Sequence, residues 1–504
     1  MAELTDRPFP PGDYPIVVVG SGPGGLQVSY ALRRLGLDHA VISADPSPGG
    51  MFRRWPFFQR LLSWTKPYGS TDRTSRVFER YDWNSLIADD PADRALQVGF
   101  MDGTSEFPSR PEMESNLAAF AERTGIDVRY DCRWESTRRE DGQDGEWFVI
   151  VTSDGEYRCR AAIFAVGVAE PWRPAAPGMD LVAHYADTRP AATYADKRLF
   201  IIGKQNSGFE LASGLLQWAS RIIIASPSPA KLSVNTRSLV GVRARYVQPF
   251  EDHNLGGGVS ILDAALESIE RAGDGFRVRV RRTDVGTEMS FEVDEVIAAT
   301  GFTSPLRDLP DLGVATFGQS RLPAQTPFWE SATVPGIYFA GTIGQGSGGL
   351  KKHGMPANSG AVHGARYNAR ILARHVAETR FGVSGQRPSI AQSDVLGFCI
   401  AELQGAPELW HQRAYLARHI SVSTVDGIRD EGIVPLTTFL DGSGPDGVAL
   451  TIEADGTGAI YPCIYLRQAG QTSEHVLPPH PVLDFGTLEH RRAMADVLAH
   501  LGIA

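Results

Sequence analysis

Cysteine is scarce in this sequence: Cys132, Cys159, Cys399 and Cys463 are the only four. No two of them have the C-x-x-C spacing of a redox dithiol, and four scattered thiols do not make a disulfide framework. A disulfide-stapled secreted domain is excluded, and a reducing cytoplasm is the expected setting. Long apolar runs are also missing. No stretch reaches the ~18 apolar residues that a spanning helix needs, and residues 1–13 are polar and Pro-rich, without the basic start and apolar stretch of a signal peptide. An excess of positive charge is lacking as well. With 49 Lys and Arg against 59 Asp and Glu the formal charge is −10, so neither nucleic acid nor an anionic membrane is the expected partner. No set of metal ligands is read. These absences describe a soluble cytoplasmic protein whose cationic sites are local.

What is present is an ordinary globular composition, 42% hydrophobic and 21% charged, with 53 Gly and 33 Pro spread along 504 residues. Two or three domains are expected, because single cores stop growing at roughly 250–300 residues. The first strong signal is Ile16-Val17-Val18-Val19, which runs into Gly20-Ser21-Gly22-Pro23-Gly24-Gly25 and then a helical pattern over 26–35. A strand, a glycine turn and a helix in this order place backbone N–H groups and a helix N-terminus against a pyrophosphate. Gly20 permits the turn, Gly22 lets the backbone approach the phosphates, and Gly25 lets helix and strand pack closely. The next strand, 39–43, should end near a carboxylate for the adenosine ribose, but Ser43 stands there. Asp45, two residues on, either reaches the ribose or starts the Asp45-Pro46 turn.

A second strand, Leu199-Phe200-Ile201-Ile202, runs into Gly203-Lys204-Gln205-Asn206-Ser207-Gly208 and a helical pattern over 211–216. Gln205 replaces the central glycine, which leaves a plain strand-helix corner as the alternative. Ile222-Ile223-Ile224-Ala225 supplies the following strand. After it come Ser226, Ser228, Lys231 and Arg237, with no carboxylate before Glu251. Hydroxyls and cations suit the 2′-phosphate of NADPH better than the bare ribose of NADH. Two more apolar strands end in glycine, Val296 to Thr300-Gly301 and Ile337 to Gly341-Thr342, and 358–376 has helical spacing. Beyond about residue 385 the pattern changes: 390–416 reads as helical, 447–466 as a hairpin around Asp455-Gly456, and 488–501 as an amphipathic helix.

With these motifs in this order, the chain resembles the two-dinucleotide-binding-domain flavoproteins, the class B flavin monooxygenases and their thioredoxin-reductase-like relatives. The resemblance covers roughly residues 15–376 and rests on four motifs: 20–25 for FAD, 203–210 for NAD(P)H, Ala299-Thr300-Gly301, and Tyr338-Phe339-Ala340-Gly341. Pro48-Gly49-Gly50-Met51-Phe52-Arg53 looks like the early loop over the flavin, and 163–167 like the crossover into the second domain. Two positions depart from the pattern. Thr342 stands where the family has Asp, and of the monooxygenase linker motif only His184 remains, as either a functional group or a capping residue. The fold implied is α/β, with two nested Rossmann-type dinucleotide-binding domains and a C-terminal α+β appendage. Its expected boundaries are 1–190 and 301–384 for FAD, 191–300 for NAD(P)H, and 385–504 for the appendage.

The activity implied is a single-component monooxygenase that uses FAD and NADPH, with NADH as the alternative. It would oxygenate an amine, a thioether or a ketone through a flavin hydroperoxide, with a small molecule and dioxygen as partners. Arg53, Lys351, Lys352 and His353 are the catalytic candidates, as cations beside the flavin loops, each with solvated surface charge as its alternative. Arg54 and Lys66 belong to the same group. Trp55, Phe57, Phe58, Trp64 and Tyr68 either line a substrate pocket or pack the core. An NAD(P)H-dependent reductase or oxidase without oxygen insertion, or a flavin-binding scaffold, are the other readings. The appendage is a candidate contact for a homo-oligomer.

Overall fold

The computed structural model describes residues 7–53, 60–69, 71–142, 145–233, 241–250, 258–349, 352 and 357–503. The chain forms two compact units: one of Met1–Arg53, Ser63–Gly167 and Pro305–Ala504, the other of Arg54–Leu62 and Val168–Ser304. Among the described residues no helix is long and apolar enough to cross a membrane.

The first unit is organised by a four-stranded parallel sheet in the order Ile337–Phe339, Ala161–Phe164, Ile16–Val19, His39–Ile42. Every residue of Ile16–Val19 is buried, as expected of a central parallel strand covered on both faces. The helix Pro23–Arg34 follows its C-terminal end directly, and Val362–Phe381 forms the long helix after the last strand. An antiparallel sheet built from Trp134–Gly142, Gly145–Thr152 and Gly155–Cys159 shares one apolar core with the parallel sheet, through Trp134, Phe148, Tyr157, Phe164 and Phe339.

Residues beyond 385 group with this same unit. They form a five-stranded antiparallel sheet in the order Gly427–Pro435, Leu416–Ser423, Asp446–Ala454, Ile460–Gln468, Gln471–Val476. The expected hairpin is Asp446–Ala454 with Ile460–Gln468, and the closing helix is Leu488–Ala499. The helical reading of 390–416 is corrected: the segment breaks into Val395–Gly405 and Pro407–His411, and Leu416 opens a strand. Gly405 ends one helix and Pro407 starts another, since Pro has no N–H to continue the ladder. Strand alternation then sorts the sheet. Val448, Leu450 and Ile452 face the core made with Leu403 and Val497, while Ala449 shares the opposite core with Tyr461, Cys463 and Tyr465.

The second unit carries a seven-stranded sheet in the order Glu288–Val293, Gly275–Arg282, Val259–Ala272, Arg221–Ser226, Arg198–Ile202, Glu295–Ala298, Ala183–His184. From Val259 to His184 the neighbours run parallel. The helix Asn206–Leu215 follows Arg198–Ile202 across the second glycine turn, and it starts earlier than the apolar spacing indicates. Each unit thus contains its own strand, glycine turn and helix.

Candidate functional site: two nucleotide turns

In the first unit, three segments distant in sequence converge on the N-terminus of Pro23–Arg34. A Cβ on Gly24 would lie 2.4 Å from Gly341 Cα and 2.5 Å from Gly341 N, so these two backbones touch and neither position has room for a side chain. The loop around Gly50 comes to the same place: a Cβ there would lie 3.0 Å from Gly22 Cα. Gly22 is different. Its backbone, φ −73° and ψ −177°, suits any residue, and a Cβ on it would meet only Gly50 Cα, at 3.9 Å. Space is kept open at Gly22, at a helix N-terminus with no acidic side chain in its first turn. This fits the pyrophosphate of FAD.

The residue at the usual ribose position has another employment. Ser43 is buried; its hydroxyl accepts from the Ser21 hydroxyl at 2.8 Å and from Asp45 N at 3.2 Å. Strand end and turn are bonded to each other at this point. Asp45 is half-buried in the turn just beyond, and its carbonyl accepts from Asp131 N. Thr342 lies in the 3₁₀ turn Gly341–Gly346, half-buried. Arg53 ends the 3₁₀ turn Gly50–Arg53, also half-buried, with its Cγ 3.1 Å from where a Gly49 Cβ would stand.

Lys352 is held by carboxylates of the C-terminal sheet. Its ammonium donates to Glu453 at 2.9 Å and Glu474 at 2.6 Å, and it lies 5.1 Å from the Tyr465 ring. Glu453 is fully buried and also accepts from the Tyr465 hydroxyl at 2.8 Å. A carboxylate taken out of water needs such partners, which accounts for the Lys352 position. Glu453, Cys463 and Glu474 bring their ligand atoms within 4.8 Å of one another, in the spacing of a metal site. The Lys352 ammonium supplies the positive charge to both carboxylates of that set. Lys351 and His353 lie outside the described residues, as do Arg54, Trp55, Phe57, Phe58 and Arg237. Of the remaining early-loop residues, Trp64 packs on Trp83 with centroids 4.9 Å apart, Lys66 lies 5.9 Å from the Tyr81 ring, and Tyr68 is 80% exposed.

The second turn is built around side chains. Gln205 is exposed at the start of Asn206–Leu215, and Gly203 and Gly208 flank it. Lys204 is buried and ion-paired to Asp263, which stands opposite Ser226 on the neighbouring parallel strand. No carboxylate follows Ser226 in the sequence for many residues, yet the sheet supplies one beside it from Val259–Ala272. The lysine inside the glycine motif was the one available sign. Asn206 ties down the loop that follows the next strand: its amide donates to Gly241 O at 3.1 Å, and its Oδ1 accepts from Arg243 N at 3.1 Å. That loop returns exposed Lys231 to the turn, through Val242 N donating to Lys231 O at 2.7 Å. It also presents Arg243, a cation not singled out from the sequence, whose guanidinium is held below its ordinary pKa by burial.

Thr300 and Gly301 close the second unit. The Thr300 hydroxyl donates to Trp172 O at 2.5 Å, and Gly301 O accepts from Trp172 N at 3.0 Å. Buried His184 bonds Gly301 O through Nε2 at 3.0 Å and accepts from Ala186 N at Nδ1 at 3.1 Å. With one nitrogen donating and the other accepting, the ring is neutral, and burial lowers its pKa. Between its two readings, the capping role matches this geometry.

All four cysteines are buried and unpaired. Cys132 and Cys159 belong to the core of the first unit, and burial pushes the Cys159 and Cys399 thiols up to about 12. None is poised as a thiolate.

A family model described as pyridine nucleotide-disulphide oxidoreductase matches residues 17–341. Among curated proteins, the chain is 30% identical over 313 residues to FAD-dependent oxidoreductase domain-containing protein 2 of Danio rerio, across 61% of this chain and 44% of that one. The protein of the same name in Mus musculus is 26% identical over 430 residues, across 79% of this chain and 63% of that one. The chain thus matches about half to two-thirds of the length of these relatives. Among solved structures, the bacillithiol disulfide reductase of Staphylococcus aureus superposes with a TM-score of 0.56 at 16% identity, covering 73% of this chain and 99% of its own. The flavin-containing monooxygenase of Stenotrophomonas maltophilia gives 0.52 at 22% identity, covering 72% and 98%. These likenesses show the fold of the two-dinucleotide-binding-domain flavoproteins. With its two glycine turns inside the span of the family model, the chain belongs to the pyridine nucleotide-disulphide oxidoreductase family.

Proposed function

We propose that the protein is an FAD-dependent NAD(P)H oxidoreductase, and specifically a monooxygenase acting on a small molecule. The observation that carries this reading is the pair of nucleotide turns, the first with space held open at Gly22, in a chain whose four cysteines are all buried and unpaired. Bound FAD supplies hydride acceptance from a nicotinamide and onward electron transfer. The chain's own residues do the rest. Gly22, Gly24 and Gly25 offer backbone to the pyrophosphate, Asp45 a carboxylate to the ribose, and Thr342 a hydroxyl to the ribityl chain. After the second turn, Ser226, Lys231 and Arg243 would offer a hydroxyl, an ammonium and a guanidinium to a 2′-phosphate. Arg53 places a cation next to the early flavin loop, where negative charge develops on reduction.

Without a dithiol the electrons go to dioxygen, to a small acceptor or to a second protein. The likeness to a monooxygenase supports the first route. The likeness to a disulfide reductase supports a second reading, electron transfer to an organic acceptor without oxygen insertion. The test is aerobic turnover of purified, flavin-loaded protein with NADPH over a panel of amines, thioethers and ketones. Incorporation of one ¹⁸O atom from ¹⁸O₂ per NADPH into product supports the monooxygenase. Turnover that yields only hydrogen peroxide or a reduced acceptor sinks it in favour of the second reading.

A further inference from the structure

We propose that the ion pair between Lys204 and Asp263 sets the choice between NADPH and NADH, with Lys204 cancelling a carboxylate that would otherwise repel a 2′-phosphate. The inference rests on reading the second glycine turn as a nicotinamide dinucleotide site. Lys204 follows the strand Arg198–Ile202, and Asp263 belongs to Val259–Ala272. These strands are not neighbours in the sheet: Arg221–Ser226 runs between them, parallel to both. Two strand spacings are about 10 Å, so the lysine side chain reaches across the C-terminal end of Arg221–Ser226 to meet its partner. That strand end is where a dinucleotide fold reads the adenosine ribose. The backbone holds the turn against it, through Gly203 N donating to Ala225 O at 2.8 Å. Ser226 and Asp263 are register partners, and their neighbours Ala225 and Ala264 lie in the core, so both side chains stand on the other face.

The two groups are unequally buried. The Lys204 side chain is 1% exposed and that of Asp263 35%. A lysine is almost never fully buried without a partner, and a strand-helix corner needs no charge at this position. The ammonium meets Asp263 from inside the fold and leaves the outer side of the carboxylate to solvent. A ribose bound beside Ser226 would meet that side. Alone, Asp263 would act as the acidic residue of an NADH site, accepting from the 2′-hydroxyl and repelling a phosphate in its place. Paired with Lys204 it adds no net charge. The Ser226 hydroxyl and the exposed ammonium of Lys231 then favour the phosphate. The carboxylate that the sequence lacks after Ser226 is thus supplied by the next strand of the sheet and silenced by the turn.

The test is calorimetric titration of the flavin-loaded protein with 2′,5′-ADP and 5′-AMP, which carry the adenosine end alone, and with NADP⁺ and NAD⁺. The pair is neutral in the native protein, negative in Lys204→Met, positive in Asp263→Asn and neutral again in the double variant. Affinity for 2′,5′-ADP and NADP⁺ should follow that charge. Lys204→Met should lose roughly 10- to 100-fold, Asp263→Asn should gain about 3- to 10-fold, and the double variant should return to within about 3-fold of native. Binding of 5′-AMP and NAD⁺ should move by less than about 3-fold throughout. Lys204→Arg, which keeps the charge, should match the native protein. A pair that only holds the turn together would weaken all these ligands in both single variants. A lysine that touches the phosphate itself would not be rescued by Asp263→Asn. Either result overturns the proposal, as does a native protein that prefers NAD⁺. If Lys204→Met does not fold, Asp263→Asn decides alone, and the absence of its gain is the refutation. A native protein that binds none of these ligands refutes the nicotinamide site itself, and the role of the pair with it. Dinucleotide binding that no variant changes refutes only the role of the pair.

Discussion

Replacing Gly22 by Val separates the cofactor's needs from the fold's. At φ −73° and ψ −177° a valine meets no backbone strain, and with only Gly50 Cα near, at 3.9 Å, its methyl groups enter open space. The cofactor-free fold should change in stability by no more than about 0.5 kcal/mol. FAD binding should suffer heavily. The first turn of Pro23–Arg34 has N–H groups without intrahelical acceptors, and Pro23 offers none, which leaves Gly24 and Gly25 as donors to the pyrophosphate. Hydrogen bonds to a charged group are worth about 1.5–3 kcal/mol each. Holding the phosphates away from two of them costs about 3–6 kcal/mol, or on the order of 10²- to 10⁴-fold in affinity. Gly24→Ala makes the contrast: its Cβ would stand 2.4 Å from Gly341 Cα, backbone against backbone, and should destabilise even the cofactor-free protein by about 1–3 kcal/mol. The assays are the flavin-to-protein absorbance ratio after purification, FAD titration of the stripped protein, and its thermal melting. A Gly22→Val protein that is fully yellow, or whose stripped form melts as early as Gly24→Ala, refutes the reasoning.

Three further outcomes are expected. Arg243→Ala, Lys231→Ala and Arg237→Ala should each raise the KM for NADPH by roughly 10-fold while moving that for NADH little; an unchanged ratio would mean that this loop does not read the phosphate. A variant with all four cysteines replaced by Ala or Ser should turn over normally per folded molecule, and loss of activity in one well-folded single variant would bring a thiol back into the reaction. The third concerns acid. His419 Nε2 is buried without a hydrogen-bond partner, and burial, against the opposing charge of Glu431, lowers the ring from 6.5 to about 4. The unfolded chain therefore takes up this proton first. Stability is complete above about pH 6.5 and falls between 6.5 and 4 by about 3 kcal/mol. His419→Leu should remove that part of the pH dependence in denaturant unfolding, and curves that stay parallel from pH 7.5 to 4.5 would refute it.

By itself the sequence determined whatever is contiguous: the strand Ile16–Val19, the turn from Gly20 to Gly25, the hairpin through Asp455, and the closing helix. These follow from β-branched runs, from glycines at fixed offsets and from alternation, all of which act over a few residues. It was also enough for the likeness to a two-turn flavoprotein, because four short motifs in order survive without any knowledge of their contacts. Side-chain partners were decided only by the tertiary structure. Lys352 pairs with Glu453, 101 residues away, and Lys204 with Asp263, 59 residues away. Ser43 bonds Ser21 across the turn in place of the family's carboxylate. The segment 390–416 had helical composition, but Pro407 and the demand of a neighbouring strand for Leu416–Ser423 divided it. Burial explains the difference. A charge in water needs no particular neighbour, whereas Glu453, once out of water, needs partners that any of several elements can bring, and only packing selects which.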